Sequence, residues 1–330
     1  MPEELPNLLP MSVMRDRWEV VQKLGEGGFG SVYTVRDRLN QFPEGAMKTE
    51  LSSARSAVLK FEAFVLQRLQ GKTHFLKYYD MNTQENVRYL VMQLAGRNLT
   101  DLRRAVPLQK FKTNTTIRLV IQCVEATRDI HSIGFLHRDI KPSNFAMGRD
   151  PRDYRTLYML DFGLARCYTT KTGELRQPRI KCGFRGTIRY ASPNAHAGKE
   201  LGRHDDLYST LYMAVELRNG RLPWYNLNNK EEVGKMKMTI PQSQLLKDMP
   251  SEFLEWHNVL CKLRYFDTPD YDWIIEKMRQ LMRAKGYQED SPYDWEEGGD
   301  SYMHTMATSP LNNPYESQIK EQKEVIRTSQ

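Results

Sequence analysis

The stretch His137-Arg138-Asp139-Ile140-Lys141-Pro142-Ser143-Asn144 places an acid, two bases and an amide within eight residues. An aspartate so placed can take a proton from a hydroxyl. An asparagine five residues further on can offer a carbonyl oxygen to a hard cation. The plain alternative is a surface loop that happens to carry these charges, and eight residues alone leave that alternative standing. The flanking chain has to decide between them.

The chain has 330 residues, 40% of them hydrophobic, enough for one large domain or two lobes around a full core. No run of about 18 apolar residues occurs, so no membrane span is expected. Residues 1–10 lack a basic region followed by an apolar core, so no signal peptide is expected either. Cys123, Cys167, Cys182 and Cys261 are widely spaced, which suits reduced thiols in a cytoplasmic protein better than disulfides or a zinc site; access to the nucleus is left open. The net charge of +7 raises nucleic acid as a partner, but the charge is segregated. Residues 166–189 hold seven bases (Arg166, Lys171, Arg176, Arg179, Lys181, Arg185, Arg189) against Glu174, whereas residues 286–330 hold nine acids against three bases. No nucleic-acid-binding motif accompanies the basic segment, so neither nucleic acid nor membrane is expected as a partner.

Residues 1–16 are polar and contain proline, and a flexible N-terminus is expected there. Residues 18–24 predict a strand. Then follow Gly25-Glu26-Gly27-Gly28-Phe29-Gly30-Ser31-Val32, where Gly25, Gly27 and Gly30 give G-x-G-x-x-G. Glycine lets backbone approach a phosphate closely and leaves N–H groups to face it. Dinucleotide-binding folds carry a similar string before a helix. Here β-branched and aromatic residues 31–35 predict a second strand, and strand–glycines–strand favours the phosphate lid of a protein kinase. Ala46-Met47-Lys48 resembles the kinase strand whose lysine grips the α- and β-phosphates. Val58, Phe61, Val65 and Leu69 recur at helical spacing, with Glu62 beside that stripe, in reach of Lys48. Residues 76–79 and 89–92 predict strands that complete a small antiparallel sheet. Met92 would back the adenine pocket, and Gln93-Leu94-Ala95-Gly96 would link to a second lobe with its backbone facing the adenine. Ile117, Val120, Ile121 and Val124 mark a long buried helix. Residues 158–160 form an apolar strand ending in Asp161-Phe162-Gly163, and Asp206 is expected to anchor the backbone of residues 137–144.

Each of these strings is common by itself. Their order (glycines, lysine, H-R-D, asparagine, D-F-G) resembles the protein kinases. That resemblance implies an α+β, two-lobed fold: a small, mainly antiparallel β lobe with one helix over residues 17–93, and a larger, mainly helical lobe over residues 94–285. It assigns Asp139 as the base that orients the substrate hydroxyl, Lys141 to the γ-phosphate, Lys48 with Glu62 to the α- and β-phosphates, and Asn144 and Asp161 to magnesium. It places Leu24, Gly25, Glu26, Gly27, Gly28, Gly30, Val32, Ala46, Met92, Gln93 and Leu94 around ATP. Lys141 favours a serine/threonine kinase.

Further strings narrow the family. Gly96-Arg97-Asn98-Leu99 with Asp101-Leu102-Arg103-Arg104, residues 134–148, Gly183-Phe184-Arg185-Gly186-Thr187, Gly202-Arg203-His204-Asp205-Asp206 and Pro269-Asp270-Tyr271 resemble the tau-tubulin kinases, a branch of the casein kinase 1 group. The resemblance spans about residues 18–295. It implies a monomer acting on serine or threonine in proteins, with a preference for acidic or already phosphorylated sites. By position Arg189 and Lys235 match the group's anion pocket, with a merely solvated basic face as the other reading. Where most kinases have A-P-E, this chain has Ser192-Pro193-Asn194. Relatives in the group also carry Asn there; Pro193 is unusual and is expected to alter the substrate-docking loop. Arg138 ordinarily needs an anion, and its source is open.

Residues 286–330 form an acidic, polar tail expected to be disordered or loosely docked. Glu289, Asp290, Asp294, Glu296, Glu297 and Asp300 suggest either a solubilising segment or one that occupies the basic groove. Two rivals to an active protein kinase are a catalytically weak pseudokinase scaffold, which predicts a missing lysine, aspartate or asparagine, and a small-molecule phosphotransferase, which the long segment after D-F-G disfavours.

Overall fold

The computed structural model describes residues 7–27, 30–40, 44–53 and 58–308. They form two compact units. One comprises the chain up to Gly96 together with Leu160–Gly163; the other comprises Arg97–Met159 and the chain from Leu164 onward. The first boundary thus falls after Gly96, three residues beyond the expected one, and the D-F-G residues pack with the first unit.

The first unit is a sheet built from β1 (Val13–Met14), β2 (Trp18–Gly27), β3 (Gly30–Asp37), β4 (Gly45–Leu51), β5 (Tyr78–Gln84) and β6 (Val87–Gln93), with one helix, α1 (Val58–Arg68). Strand order is β1-β2-β3-β4-β6-β5, antiparallel throughout. The two-residue alternation of strands sorts the side chains. Tyr33, Val35, Met47, Tyr89 and Val91 form one buried face with Met14, Trp18 and Val20. On the other face Leu90 packs on Leu59 and Ala63 of α1, with Met92 against them.

Two expectations need correction here. The N-terminus is not a loose lead-in over residues 7–16. Met14 pairs with Trp18 in the sheet, Leu8 packs on the aromatic face, and the Leu8 N–H donates to the Tyr33 hydroxyl at 3.1 Å. This segment covers apolar area that the sheet would otherwise expose to water. The buried face of α1 is Leu59, Glu62, Ala63, Val65 and Leu66, so Glu62 lies within the stripe rather than beside it. An acid is tolerated there because a lysine meets it.

The second unit is mainly helical: α2 (Leu99–Ala105), α3 (Thr113–Ser132), α4 (Pro193–His196), α5 (Arg203–Asn219), α6 (Lys230–Thr239), α7 (Gln242–Leu245), α8 (Ser251–Leu260), α9 (Tyr271–Ala284) and α10 (Tyr302–Thr308). Short strand pairs β7 (Phe135–Leu136) with β10 (Arg166–Cys167), and β8 (Phe145–Met147) with β9 (Leu157–Met159), frame residues 137–144. Helix α3 is the core, with α5 and α9 packed on it. Helix α5 is buried along most of its length, its polar residues Asp205, Asp206 and Glu216 included, each of which meets a hydrogen-bonding partner.

The tail is also corrected. Tyr293 is 1% exposed, and Asp294 and Trp295 are buried. Helix α3 begins at Lys112 without a side-chain cap of its own. Asp294 supplies one, accepting from the Lys112 N–H at 2.6 Å and from Thr115 Oγ1 at 2.9 Å, which satisfies amide groups a helix start leaves open. Tyr293 stacks on Trp295 at 4.9 Å between ring centres, Arg118 sits 4.0 Å over the Tyr293 ring, and Glu296 pairs with Arg155 at 2.6 Å. Two of the six acids therefore serve the packing of this unit. Residues 309–330 lie outside the described residues.

Candidate active site

Each unit carries one set of chemical groups. In the first, β2 and β3 close on each other at Gly27 and Gly30, while Gly28 lies outside the described residues. A Cβ on Gly30 would come 1.6 Å from the Thr49 carbonyl oxygen, so packing alone demands glycine there. A Cβ on Gly25 would meet nothing within 4 Å. Gly25 lies in β2 opposite Val32, so open space rather than backbone conformation is what distinguishes this glycine. Leu24 and Glu26 are exposed, Val32 and Met92 half-buried, and Ala46 and Leu94 buried; Glu26 pairs with Lys23 at 2.6 Å. Ala46 sits opposite Met92 in the sheet, and Val32 opposite Lys48, so these four share the face on which α1 packs. The Gln93 N–H is engaged by the Lys77 carbonyl at 2.8 Å.

Lys48 Nζ lies 2.6 Å from Glu62 Oε2 and 3.3 Å from Asp161 Oδ1. Burial works to neutralise this ammonium, but the two carboxylates outweigh it and hold the pKa above the ordinary lysine value. Burial pushes the Glu62 carboxyl up, with Lys48 opposing. Asp161 adopts φ 62°, left-handed backbone that is uncommon outside glycine. Its Oδ1 also receives the Gly163 N–H at 3.3 Å, and its side chain is 43% exposed. Phe162 is buried against Phe75, with ring centres 6.1 Å apart. Placing Asp161 at a strained turn with its neighbour buried presents the carboxylate outward.

In the second unit Asp206 anchors residues 137–144 as expected. It accepts from the backbone N–H groups of His137 and Arg138, and faces His131 Nε2, each at 2.8 Å. Its burial favours the neutral acid, but His131 and the His137 N–H outweigh that and hold the carboxyl below its usual value. Arg138 takes φ 67° at this bend. Asp139 Oδ2 accepts from Lys141 Nζ at 2.6 Å and Oδ1 from Thr187 Oγ1 at 2.7 Å. Lys141 Nζ also reaches Thr187 Oγ1 at 3.2 Å. Asn144 Nδ2 donates to the Asp139 carbonyl at 2.9 Å, which leaves its Oδ1 as the acceptor end of the amide. The structure thus joins Lys48, Glu62 and Asp161 in one cluster and Asp139, Lys141 and Asn144 in another. A buried carboxylate held by a lysine and a hydroxyl is suited to orient a substrate hydroxyl and receive its proton.

Thr187 carries no role in the sequence reading, although Gly186-Thr187 marks its place. Gly186 has φ 98°, and a Cβ there would come 2.6 Å from the Arg138 carbonyl oxygen. Only glycine lets this segment approach the loop closely enough for Thr187 to reach Asp139.

The open question over Arg138 also has a structural answer. Its Nε donates to the Leu164 carbonyl at 2.8 Å. Burial, then Arg166, pushes its pKa down to about 10. Nearby, buried Glu200 takes Arg166 Nε at 3.1 Å and Arg179 Nε at 2.5 Å, so the chain brings its own carboxylate to this arginine group. Asn194, in place of the missing glutamate, donates to Asp205 Oδ1 at 3.0 Å. Pro193 opens α4 behind the Ser192 cap, whose side chain accepts from the Ala195 N–H; its fixed φ suits a first helical position. Arg189 Nη1 lies 3.1 Å from buried Glu216, and Lys235 is exposed on α6. Among the described residues no hydrogen bond or ion pair joins Arg189 and Lys235. Also among the described residues, no group of three or more His, Cys, Asp or Glu could hold a metal ion. Among the described residues no helix is long and apolar enough to cross a membrane.

Comparison with known proteins agrees with this geometry. The family model described as protein kinase domain matches residues 18–285. A Dictyostelium discoideum protein with a provisional serine/threonine-protein kinase name is 38% identical over 285 residues, covering 86% of this chain; the aligned region is 57% of that relative's length. A Caenorhabditis elegans protein with a provisional casein kinase I name is 33% identical over 299 residues, 88% of this chain and 87% of the relative. Another from the same organism, the serine/threonine-protein kinase spe-6, is 31% identical over 312 residues, 92% of this chain and 82% of the relative. The chain belongs to the protein kinase family, among its serine/threonine kinases.

Proposed function

We propose that this kinase transfers the γ-phosphoryl group of magnesium-ATP to serine or threonine in proteins, as a tau-tubulin-kinase-like member of the casein kinase 1 group. The observation that carries the reading is the Asp139–Lys141–Thr187 constellation. The relative with a casein kinase I name supports the group. When bound, magnesium-ATP supplies the phosphoryl group and part of the charge neutralisation that in-line transfer needs. In the first unit Lys48 would hold the α- and β-phosphates, Gly25 to Gly30 would cover them, and Asp161 would offer a magnesium ligand. In the second, Asp139 would orient the hydroxyl and take its proton, Lys141 would meet the γ-phosphate, and Asn144 would offer a magnesium ligand. No group that a pseudokinase would lack is missing. The protein is read as a cytoplasmic monomer, with access to the nucleus left open.

A preference for acidic or phosphorylated substrates belongs to the same proposal. Its support is the basic character of residues 166–189 and the 44% exposure of the Arg189 side chain. A peptide array phosphorylated by the wild type tests both parts. Asp139→Asn is expected to lower turnover by roughly 10²–10⁴-fold; near wild-type labelling by that variant would remove the assignment. Arg189→Ala is expected to weaken selection for acids near the target. An array without such selection, unchanged by the substitution, rejects the preference and leaves the activity standing.

A further inference from the structure

Lys237 on α6 is 6% exposed, and among the described residues no carboxylate lies within ion-pair distance of it. Its Nζ donates to the carbonyls of Ile188 and Ala191, each at 2.7 Å, and lies 3.3 Å from His196 Nε2. His196 Nδ1 is 3.0 Å from the Lys230 carbonyl. His196 Nε2 is also 3.3 Å from the Ile188 carbonyl; a carbonyl only accepts, so the neutral ring donates to one of these two carbonyls and not to both. Two Lys237 hydrogens thus have backbone carbonyl acceptors. The aromatic faces of Trp224 and Tyr212 stand 5.0 and 5.1 Å from the nitrogen, and Trp224 Nε1 donates to the Arg189 carbonyl at 2.8 Å. The carbonyls of residues 188, 189 and 191 are therefore all received by two side chains, Lys237 and Trp224.

These carbonyls belong to the turn that begins at Thr187, whose own carbonyl accepts from the N–H groups of Tyr190 and Ala191 at 2.9 Å. The Thr187 hydroxyl is the one that meets Asp139 Oδ1. Holding the outer carbonyls fixes the turn, and the turn fixes the hydroxyl. A lysine here is not needed to fill space. Burial alone pushes its pKa down to about 6, and methionine of similar volume would carry no desolvation penalty. What methionine could not do is donate to the carbonyls of Ile188 and Ala191.

We infer that Lys237, supported by Trp224, is a positioning residue for phosphoryl transfer: it fixes residues 187–191 so that Thr187 holds Asp139 and the segment presents a protein substrate. The inference rests on the kinase reading above. Lys237 touches neither substrate nor nucleotide in this role and acts through Thr187.

The test uses the full chain carrying Lys237→Met, and separately Trp224→Phe, which keeps a ring but loses the N–H to Arg189. Kinetic constants for one serine-containing peptide and for ATP are measured beside the unfolding temperature. Replacing a buried charge with an apolar isostere is often neutral or stabilising. Lys237→Met is therefore expected to unfold at the same or a higher temperature while peptide kcat/KM falls about 10- to 100-fold, the scale of an ångström-sized misplacement. KM for ATP should stay within about twofold, because Lys237 acts on the segment at residues 187–191 and touches no nucleotide. Trp224→Phe should show the same split in smaller size, and it carries the test if the methionine variant does not fold. An unchanged peptide kcat/KM in both variants, or a fall that only follows lost stability, overturns the inference while wild-type activity upholds the kinase reading. A wild type that labels no peptide removes both.

Discussion

Lys48 is half-buried and Lys237 buried, and their surroundings drive them in opposite directions. Lys48 has Glu62 at 2.6 Å and Asp161 at 3.3 Å, and its pKa is raised despite burial. Lys237 has only two carbonyls, an imidazole nitrogen and two aromatic faces, and burial pushes it down to about 6. Desolvation alone disfavours the charged form; an adjacent carboxylate reverses the sign. The difference separates two uses of a cation. Lys48 is kept charged to meet anions. Lys237 is a donor to loop carbonyls, and its charge is incidental to the geometry it enforces.

The largest effect should come from breaking the first cluster. Lys48→Met leaves Glu62, whose side chain is 4% exposed, without its cation. Removing one partner of a buried pair typically costs about 3–5 kcal/mol, and transfer should fall by roughly 10²–10³-fold with the lost phosphate contact. Adding Glu62→Gln removes the stranded acid. The double variant should therefore regain much of the stability measured by denaturant unfolding, but none of the activity. If the double variant is no more stable than the single one, the ion pair is not what holds α1 at this lysine.

This cluster also shows what the sequence could and could not disclose. Lys48, Asp139, Asn144 and Asp161 are legible because each sits in a short string whose spacing along the chain is itself the signal. The phase of α1 is not, because Val58, Phe61, Val65 and Leu69 form an apolar stripe as regular as the buried one, and only the position of Lys48 decides that Glu62 faces inward. Thr187 and Lys237 are less legible still. Thr187 reaches Asp139 across 48 residues, and Lys237 reaches Ile188 across 49. No local periodicity encodes such pairings, and a lysine on a polar helix reads as solvated. The segment at residues 7–16 fails for a related reason: its short β1 is recognisable only once the aromatic face it covers exists.

The second lysine gives a pH signature of smaller size. Its pKa falls from 10.5 in the unfolded chain to about 6 in the folded one. Between these values the unfolded state binds more protons, so stability rises with pH. The penalty for taking in the ammonium is fully present below about pH 6 and is relieved as pH climbs toward 10.5. Lys237→Met has no such proton to lose. The stability of the wild type relative to this variant should therefore increase steadily from pH 6 to pH 9 in denaturant titrations. A flat difference would mean that the amine stays charged in the fold, and that two carbonyls, an imidazole and two rings can do for Lys237 what two carboxylates do for Lys48.

The smallest effect concerns the acids of the tail, which sit opposite to Glu62 in purpose. Asp294 meets no lysine side chain; it meets the start of α3, receiving the Lys112 N–H and the Thr115 hydroxyl. Burial raises its pKa, and those two donors oppose the rise. Asp294→Ala removes a helix cap, worth about 1 kcal/mol and at most about 2, and should appear as a modest loss of unfolding free energy. Because Asp294 and Glu296 are committed to α3 and Arg155, the same variant should leave peptide KM unchanged even at low salt, where a screened electrostatic contact would be strongest. A clear fall in KM would instead mean that this part of the tail competes with substrate, and that its packing on α3 is one of two places it can occupy.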